Sequence, residues 1–197
     1  MENQSFPFVV IGLGNPGREY RETRHNIGFM VIDRLCRAMG ISLTRVQSKA
    51  LTGVGVLEGK KVVVGKPQTF MNLSGQSASG LIRFYKTPLD QLIVAHDDLD
   101  LPLGTIRLRP GGGSAGQKGM VSIIQQLGTQ DFARLRVGIG RPPGRMDPSA
   151  FVLQKFTAGE MELVDQVLDR ALAAVRIFVT EGLDAAMNQH NGSLAEK

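Results

Sequence analysis

The segment from Phe8 to Leu13 reads Phe-Val-Val-Ile-Gly-Leu, an apolar, β-branched run that closes on Gly14-Asn15-Pro16-Gly17. A run of this length without polar alternation predicts a buried strand ended by a turn. A helical pattern follows. From Asn26 onward, Ile27, Val31, Leu35 and Ala38 fall on one face, and Gly40 stops the pattern. A buried strand that feeds a helix directs the chain toward an α/β architecture.

The other segments agree. Val54 to Leu57 and Lys61 to Val64, joined through Glu58-Gly59-Lys60, predict a hairpin. Ser74 to Lys86 predicts a helix with Pro88 beyond its end, and Leu92 to Ala95 a strand that ends at His96-Asp97-Asp98. Thr105 to Leu108 and Leu135 to Ile139 predict two further strands. Between them a glycine-rich loop over 110–119 leads to a short helix near Met120 to Leu127. Gly140 to Pro148 is a loop rich in Pro, Gly and Arg. Thr157 and Glu160 form a capping-box pair, after which Met161, Val164, Leu168, Leu172, Val175 and Val179 keep a helical period up to Gly182. The expectation is one domain over 1–190: a mixed, twisted sheet covered by helices, with a long C-terminal amphipathic helix. The tail after Asn191 is expected to fray.

Charge narrows the function. The chain carries 23 Lys and Arg against 18 Asp and Glu, a net +5. Between Gly104 and Met146 stand seven basic residues, Arg107, Arg109, Lys118, Arg134, Arg136, Arg141 and Arg145, and one acid, Asp131. That segment holds all of the excess. A local basic field beside flexible glycine backbone points to a polyanion such as nucleic acid. The single cysteine, Cys36, excludes an internal disulfide framework and a Cys-based zinc site. One thiol, no secretory pattern in Met1 to Phe6 and no apolar run of membrane-spanning length lead us to expect a cytoplasmic protein.

Gly12-Leu13-Gly14-Asn15-Pro16-Gly17 matches the dinucleotide fingerprint G-x-G-x-x-G, but the charged stretch Arg18 to Arg24 separates it from the helix. Asp33, the acid at about the right distance, falls inside the helical pattern rather than at a strand end. His96-Asp97-Asp98-Leu99-Asp100 is dense in potential metal ligands, yet Asp97 and Asp98 point to opposite faces of a strand. No G-x-S-x-G elbow accompanies Ser74, and Cys36 lies at an apolar helical position. The remaining candidates are Asn15 at the end of the first strand, His25 at the start of the first helix and Asp97 at the end of another strand. Sites in open α/β sheets form beyond the carboxyl ends of strands, where these three converge. A carboxylate on one ring nitrogen of His25 would fix its tautomer and leave the other as a base. Met71 and Asn72 offer an apolar platform beside an amide suited to a peptide backbone.

Read in order, these segments resemble the bacterial peptidyl-tRNA hydrolase family. The matching pieces are Gly12 to Gly17, Tyr20, Thr23-Arg24-His25-Asn26, Thr69 to Gly75, His96 to Pro102, Gly111-Gly112-Gly113 and Arg134 to Gly140. The resemblance spans roughly residues 7–190. It implies hydrolysis of the ester between a peptide and the 3′-terminal ribose of tRNA, by a monomer that needs no metal and no cofactor. It implies that His25 activates water, that Asp97 supports His25, and that Asn15 and Asn72 position ester and water. Met71 would line the peptide groove and Tyr20 would lie beside the reacting end. Arg109 and Arg136 fall where the family places a basic pair on the tRNA 5′-phosphate. Many members read Gly-His-Asn-Gly late in the glycine loop, where this chain has Gly116-Gln117-Lys118-Gly119. Lys118 therefore replaces an amide by an ammonium, which donates but has no lone pair to accept. It remains a candidate substrate contact, to a carbonyl or to the phosphates of the CCA end. The alternative function is that of a non-catalytic RNA-binding relative, as in family members that act in intron splicing.

Overall fold

The computed structural model describes residues 6–194. In chain order the strands are β1 (Phe8–Gly12), β2 (Arg45–Gln47), β3 (Ala50–Leu57), β4 (Lys60–Pro67), β5 (Leu92–Asp98), β6 (Thr105–Arg109), β7 (Ala133–Gly138) and β8 (Gly192–Ser193). The helices are α1 (Ile27–Met39), α2 (Ser74–Tyr85), α3 (Lys118–Leu127), α4 (Pro148–Val152), α5 (Ala158–Glu181) and α6 (Leu183–His190). They build a single α/β domain around one mixed sheet of order β2-β3-β4-β1-β5-β7-β6-β8.

The central strands β4, β1, β5 and β7 run parallel, and antiparallel strands flank them on both sides. β1 and the first four residues of β5, Leu92 to Ala95, are apolar because both of their faces are covered. Val10, Ile93 and Ala95 pack with the apolar stripes of α1 and α5 on one face. Val9, Ile11 and Val94 pack with α2 and α3 on the other. The long α5 buries Val164, Val167, Leu168, Ala171, Ala174, Val175, Phe178 and Val179, the three-and-four spacing of a helix with one covered side. Gly12 and Gly28 let β1 and α1 touch: a Cβ on Gly12 would fall 2.1 Å from the Gly28 carbonyl oxygen. A Cβ on Gly14 would fall 2.8 Å from the Phe29 ring, so the first two glycines of the G-x-G-x-x-G motif serve close packing of strand, turn and helix.

The hairpin is longer than its apolar residues indicated, running from Ala50 to Pro67 with Glu58 and Gly59 both at positive φ in its turn. β5 runs from Leu92 to Asp98 and so ends at His96-Asp97-Asp98, as its sequence indicated. α3 begins at Lys118, two residues before the apolar pattern, which makes Gln117 its N-cap. β2, α4 and α6 were not expected. β2 is largely exposed and has no apolar signature; its ladder to β3 holds it. The chain end also differs from the frayed tail expected after Asn191. Gly192–Ser193 pair with β6, and the Leu194 N–H donates to the Gly104 carbonyl. The Asn191 amide bridges both backbone groups of Leu108, and Arg170 donates to the carbonyls of His190 and Asn191. Polar contacts of this kind leave no hydrophobic periodicity to read. Residues 195–197, the rest of that expected tail, and 1–5 lie outside the described residues.

Candidate active site

Three connections meet beyond the carboxyl ends of β1 and β5, and their local structure explains why His25 faces Asp97. The turn after β1 is fastened to the start of α1 by Asn26. Its side-chain oxygen accepts from the Asn15 N–H at 2.9 Å, and its NH2 donates to the Asn15 carbonyl at 2.9 Å. His25 sits between this lock and a second one at Arg24. The Arg24 guanidinium donates to both oxygens of Glu160 at 3.0 and 2.8 Å and lies 4.5 Å from the centre of the Phe151 ring. Its backbone N–H donates to the Gln154 carbonyl. Residues 22–26 are therefore stitched to the approach to α5, and the imidazole between them has little freedom.

The His25 Nδ1 lies 2.8 Å from Asp97 Oδ2. A carboxylate accepts, so Nδ1 carries the proton and Nε2 is the nitrogen with a free lone pair. Asp97 is 4% exposed and His25 remains open to the cavity. The other carboxylate oxygen of Asp97 accepts from the Gln117 side-chain NH2 at 3.1 Å. The Asn15 side-chain oxygen accepts from the Met71 N–H at 2.9 Å, which leaves its NH2 as the part of the amide able to donate to a ligand. That same bond pins the loop carrying Met71 and Asn72.

A cavity of about 690 Å³ opens over these groups. Asn15, His25, Met71, Asn72, Asp97 and Lys118 all line it, so six of the nine candidate residues converge. Phe70 and Leu153, both exposed, add an apolar wall. Tyr20 is not brought into that lining; its carbonyl accepts from the N–H and hydroxyl of Thr23 in the turn that leads to His25. Arg109 and Arg136 line a second, smaller pocket of about 270 Å³ with His96, Arg134 and residues 111–115 of the glycine-rich loop. The antiparallel register of β6 and β7 sets Arg109 opposite Arg134 and Arg107 opposite Arg136. His96, Ser114 and Ala115 belong to both cavities, so the two are neighbours.

The second pocket is braced from within. Arg134 is buried and donates to the carbonyls of Gly113 and Gln130, which shapes the glycine loop. Arg136 Nε donates to Asp98 Oδ2 at 2.5 Å. The acids considered as metal ligands are separately engaged: Asp97 with His25 and Gln117, Asp98 with Arg136, Asp100 with Arg141. Among the described residues no group of three His, Cys, Asp or Glu is placed to hold a metal ion. Burial pushes the His96 imidazole below its ordinary value, against the raising influence of Asp97 and Asp98. Burial likewise pushes the Cys36 thiol up, which suits a core residue.

Gln117 is the site residue that motif reading missed. The signal was present in the chain, because a polar residue one position before a helix is a cap candidate, but the apolar pattern placed that helix two residues too late.

A family model described as peptidyl-tRNA hydrolase matches residues 9–197. The chain belongs to the peptidyl-tRNA hydrolase family. It is 51% identical over 179 residues to the chloroplastic peptidyl-tRNA hydrolase of Arabidopsis thaliana, covering 90% of this chain and 62% of that protein. The chain thus spans less than two thirds of that plant relative. It is 49% identical to the peptidyl-tRNA hydrolase of Carboxydothermus hydrogenoformans, covering 93% of this chain and 98% of the other. The crystal structure of peptidyl-tRNA hydrolase from Acinetobacter baumannii superposes with a TM-score of 0.89 at 38% identity, covering 98% of each chain.

Proposed function

We propose that this chain hydrolyses the ester of peptidyl-tRNA with a water activated by His25. The hydrolase class follows from the family; the assignment of roles is ours. The observation that carries it is the 2.8 Å contact between His25 Nδ1 and Asp97 Oδ2 at the floor of a cavity that Asn15, Met71, Asn72 and Lys118 also line.

In this reading Nε2 of His25 takes a proton from water as the water oxygen attacks the ester carbonyl carbon. Asp97 stabilises the imidazolium that forms and keeps its ring in place. Negative charge develops on the former carbonyl oxygen, where the Asn15 NH2, the Asn72 amide and the Lys118 ammonium supply donors. Collapse expels the ribose oxygen, which accepts from the imidazolium the proton taken from water, and free tRNA and peptide leave. No enzyme-bound acyl intermediate is required. Met71 and Phe70 carry the peptide, whose varying side chains favour recognition through backbone amides. Arg109 and Arg136 meet a tRNA phosphate, because the shared part of every substrate is the nucleic acid.

We further propose that the protein acts as a monomer in the cytoplasm. No helix among the described residues is long and apolar enough to cross a membrane.

The test is release of free tRNA from an N-blocked aminoacyl-tRNA. His25→Ala is expected to lower turnover by about 10²- to 10⁴-fold, the range for a general base, with an unchanged circular dichroism spectrum. Near-normal turnover in the variant would overturn the role of His25. Good RNA binding without turnover by the unaltered protein would establish the non-catalytic alternative.

A further inference from the structure

Gln117 closes a chain of hydrogen bonds that runs from the backbone of α3 to the imidazole of His25. Its side-chain oxygen accepts from the Met120 N–H at 2.7 Å, capping the helix. Its NH2 donates to Asp97 Oδ1 at 3.1 Å and lies 3.3 Å from the Met71 sulfur. Asp97 Oδ2 receives His25. The amide cannot be turned over: its NH2 would then face the Met120 N–H, donor against donor, and its oxygen would face a carboxylate. The orphan N–H at the start of α3 thus orients the amide, the amide orients the carboxylate, and the carboxylate orients the imidazole.

We propose that Gln117 is a positioning residue for the His25–Asp97 pair, holding the buried carboxylate in the rotamer that presents His25 Nε2 to the cavity. The proposal rests on the reading of that pair given above. Two chemical points favour an amide at this place. Asp97 is almost wholly buried, and a buried carboxylate oxygen without a donor is costly and free to rotate. An amide also carries no ionisable proton, so its support of Asp97 does not change with pH. Gln117 ends the same glycine-rich loop that lines the basic pocket through residues 111–115. The loop that would meet the nucleic acid therefore terminates on the residue that holds the carboxylate.

Steady-state kinetics on N-blocked aminoacyl-tRNA, with pH profiles, test this in four variants. Gln117→Glu keeps an oxygen for the Met120 N–H but sets a second carboxylate against Asp97. It is expected to retain its circular dichroism spectrum, to lose at least tenfold in kcat with KM within threefold, and to move the acidic limb of the kcat profile to higher pH. Gln117→Met keeps the length of the side chain, removes both hydrogen bonds and is expected to lose kcat similarly. Gln117→His supplies one donor and one acceptor when neutral, and is expected to recover kcat at pH 8 to within a few fold. Asp97→Asn separates this proposal from its foundation. If Asp97→Asn keeps full turnover, the pair is not the catalytic one and the proposal falls with it. If Asp97→Asn is impaired while the Glu and Met variants keep kcat within twofold, the pair stands and the role of Gln117 is overturned. A fall in kcat with no movement of the acidic limb in Gln117→Glu would show a merely structural cap and overturn it as well.

Discussion

His96 shows what a single buried residue contributes beyond the site chemistry. It is 3% exposed, its Nδ1 faces the Asp97 carbonyl oxygen at 2.8 Å, and Nε2 has no hydrogen-bond partner among the described residues. Burial lowers its proton affinity, with Arg134 adding to the effect and Asp97 and Asp98 opposing it. A histidine whose folded value is depressed stays neutral in the folded chain while the unfolded chain already binds a proton. Stability therefore falls as pH drops below the ordinary value of about 6.5 and levels off only below the depressed one. Urea unfolding between pH 5 and 8 is expected to show this as a slope of up to about 1.4 kcal/mol per pH unit from this group, which His96→Gln flattens. Equal slopes in both proteins would contradict it. The roles at this scale were unevenly legible. Asn15, His25 and Asp97 sit at strand and helix ends, where residue type and position already indicate a site. The use of Gln117 depends on where α3 begins, and a helix boundary set by a cap carries no apolar signal.

At the scale of elements, the entry into α1 depends on a contact that spans 136 residues. The capping pair Thr157 and Glu160 was readable because its partners lie three apart, and it forms, with the Thr157 N–H donating to Glu160 at 2.8 Å. The second duty of Glu160, clamping Arg24 next to His25, was not readable, because no local pattern records a partner so distant in sequence. The order of strands in the sheet was hidden for the same reason. Burial tends to raise the Glu160 carboxyl, but the hydrogen bonds from Arg24 and Thr157 and the charge of Arg24 outweigh it and hold the group below its ordinary value of 4.5. Glu160→Gln is expected to destabilise the fold by about 1 kcal/mol, since the carboxylate is partly exposed. A depressed carboxyl stabilises at pH values above its unfolded value. The gap between the two proteins should therefore be full above about pH 4.5 and close as pH falls through the depressed value. Thermal melts of both proteins at pH 7 and pH 3.5 check the sign. Turnover at pH 7 should fall as well, because the turn that carries His25 loses one of its anchors.

On the scale of the whole molecule, the sheet topology gathers at one end what the sequence scattered. The parallel strands β1 and β5 deliver Asn15 and Asp97 to that end, and the β6–β7 ladder sets its arginines beside them. Three of the basic residues between Gly104 and Met146, Arg109, Arg134 and Arg136, thereby line a pocket next to the cavity that His25 and Asp97 line, with His96, Ser114 and Ala115 shared between the two. The sequence located the charge but not this adjacency, which arises only when β7 pairs with β5. If the pocket receives a tRNA phosphate, affinity must fall with salt, because each neutralised phosphate releases condensed counterions. Arg109 is exposed and has no ion-pair partner among the described residues, whereas Arg136 already shares Asp98. Arg109→Ala is therefore expected to reduce the slope of log affinity against log salt by about 0.7–0.9, the contribution of one phosphate, and Arg136→Ala by a smaller amount. Arg34 provides the comparison, since it is held by Asp165 and Asp169 and lines neither pocket. Arg34→Ala should leave the slope unchanged. Equilibrium binding of deacylated tRNA between 50 and 300 mM salt measures all three. An unaltered slope in Arg109→Ala, or an equal loss in Arg34→Ala, would mean that the nucleic acid lies elsewhere on the basic surface.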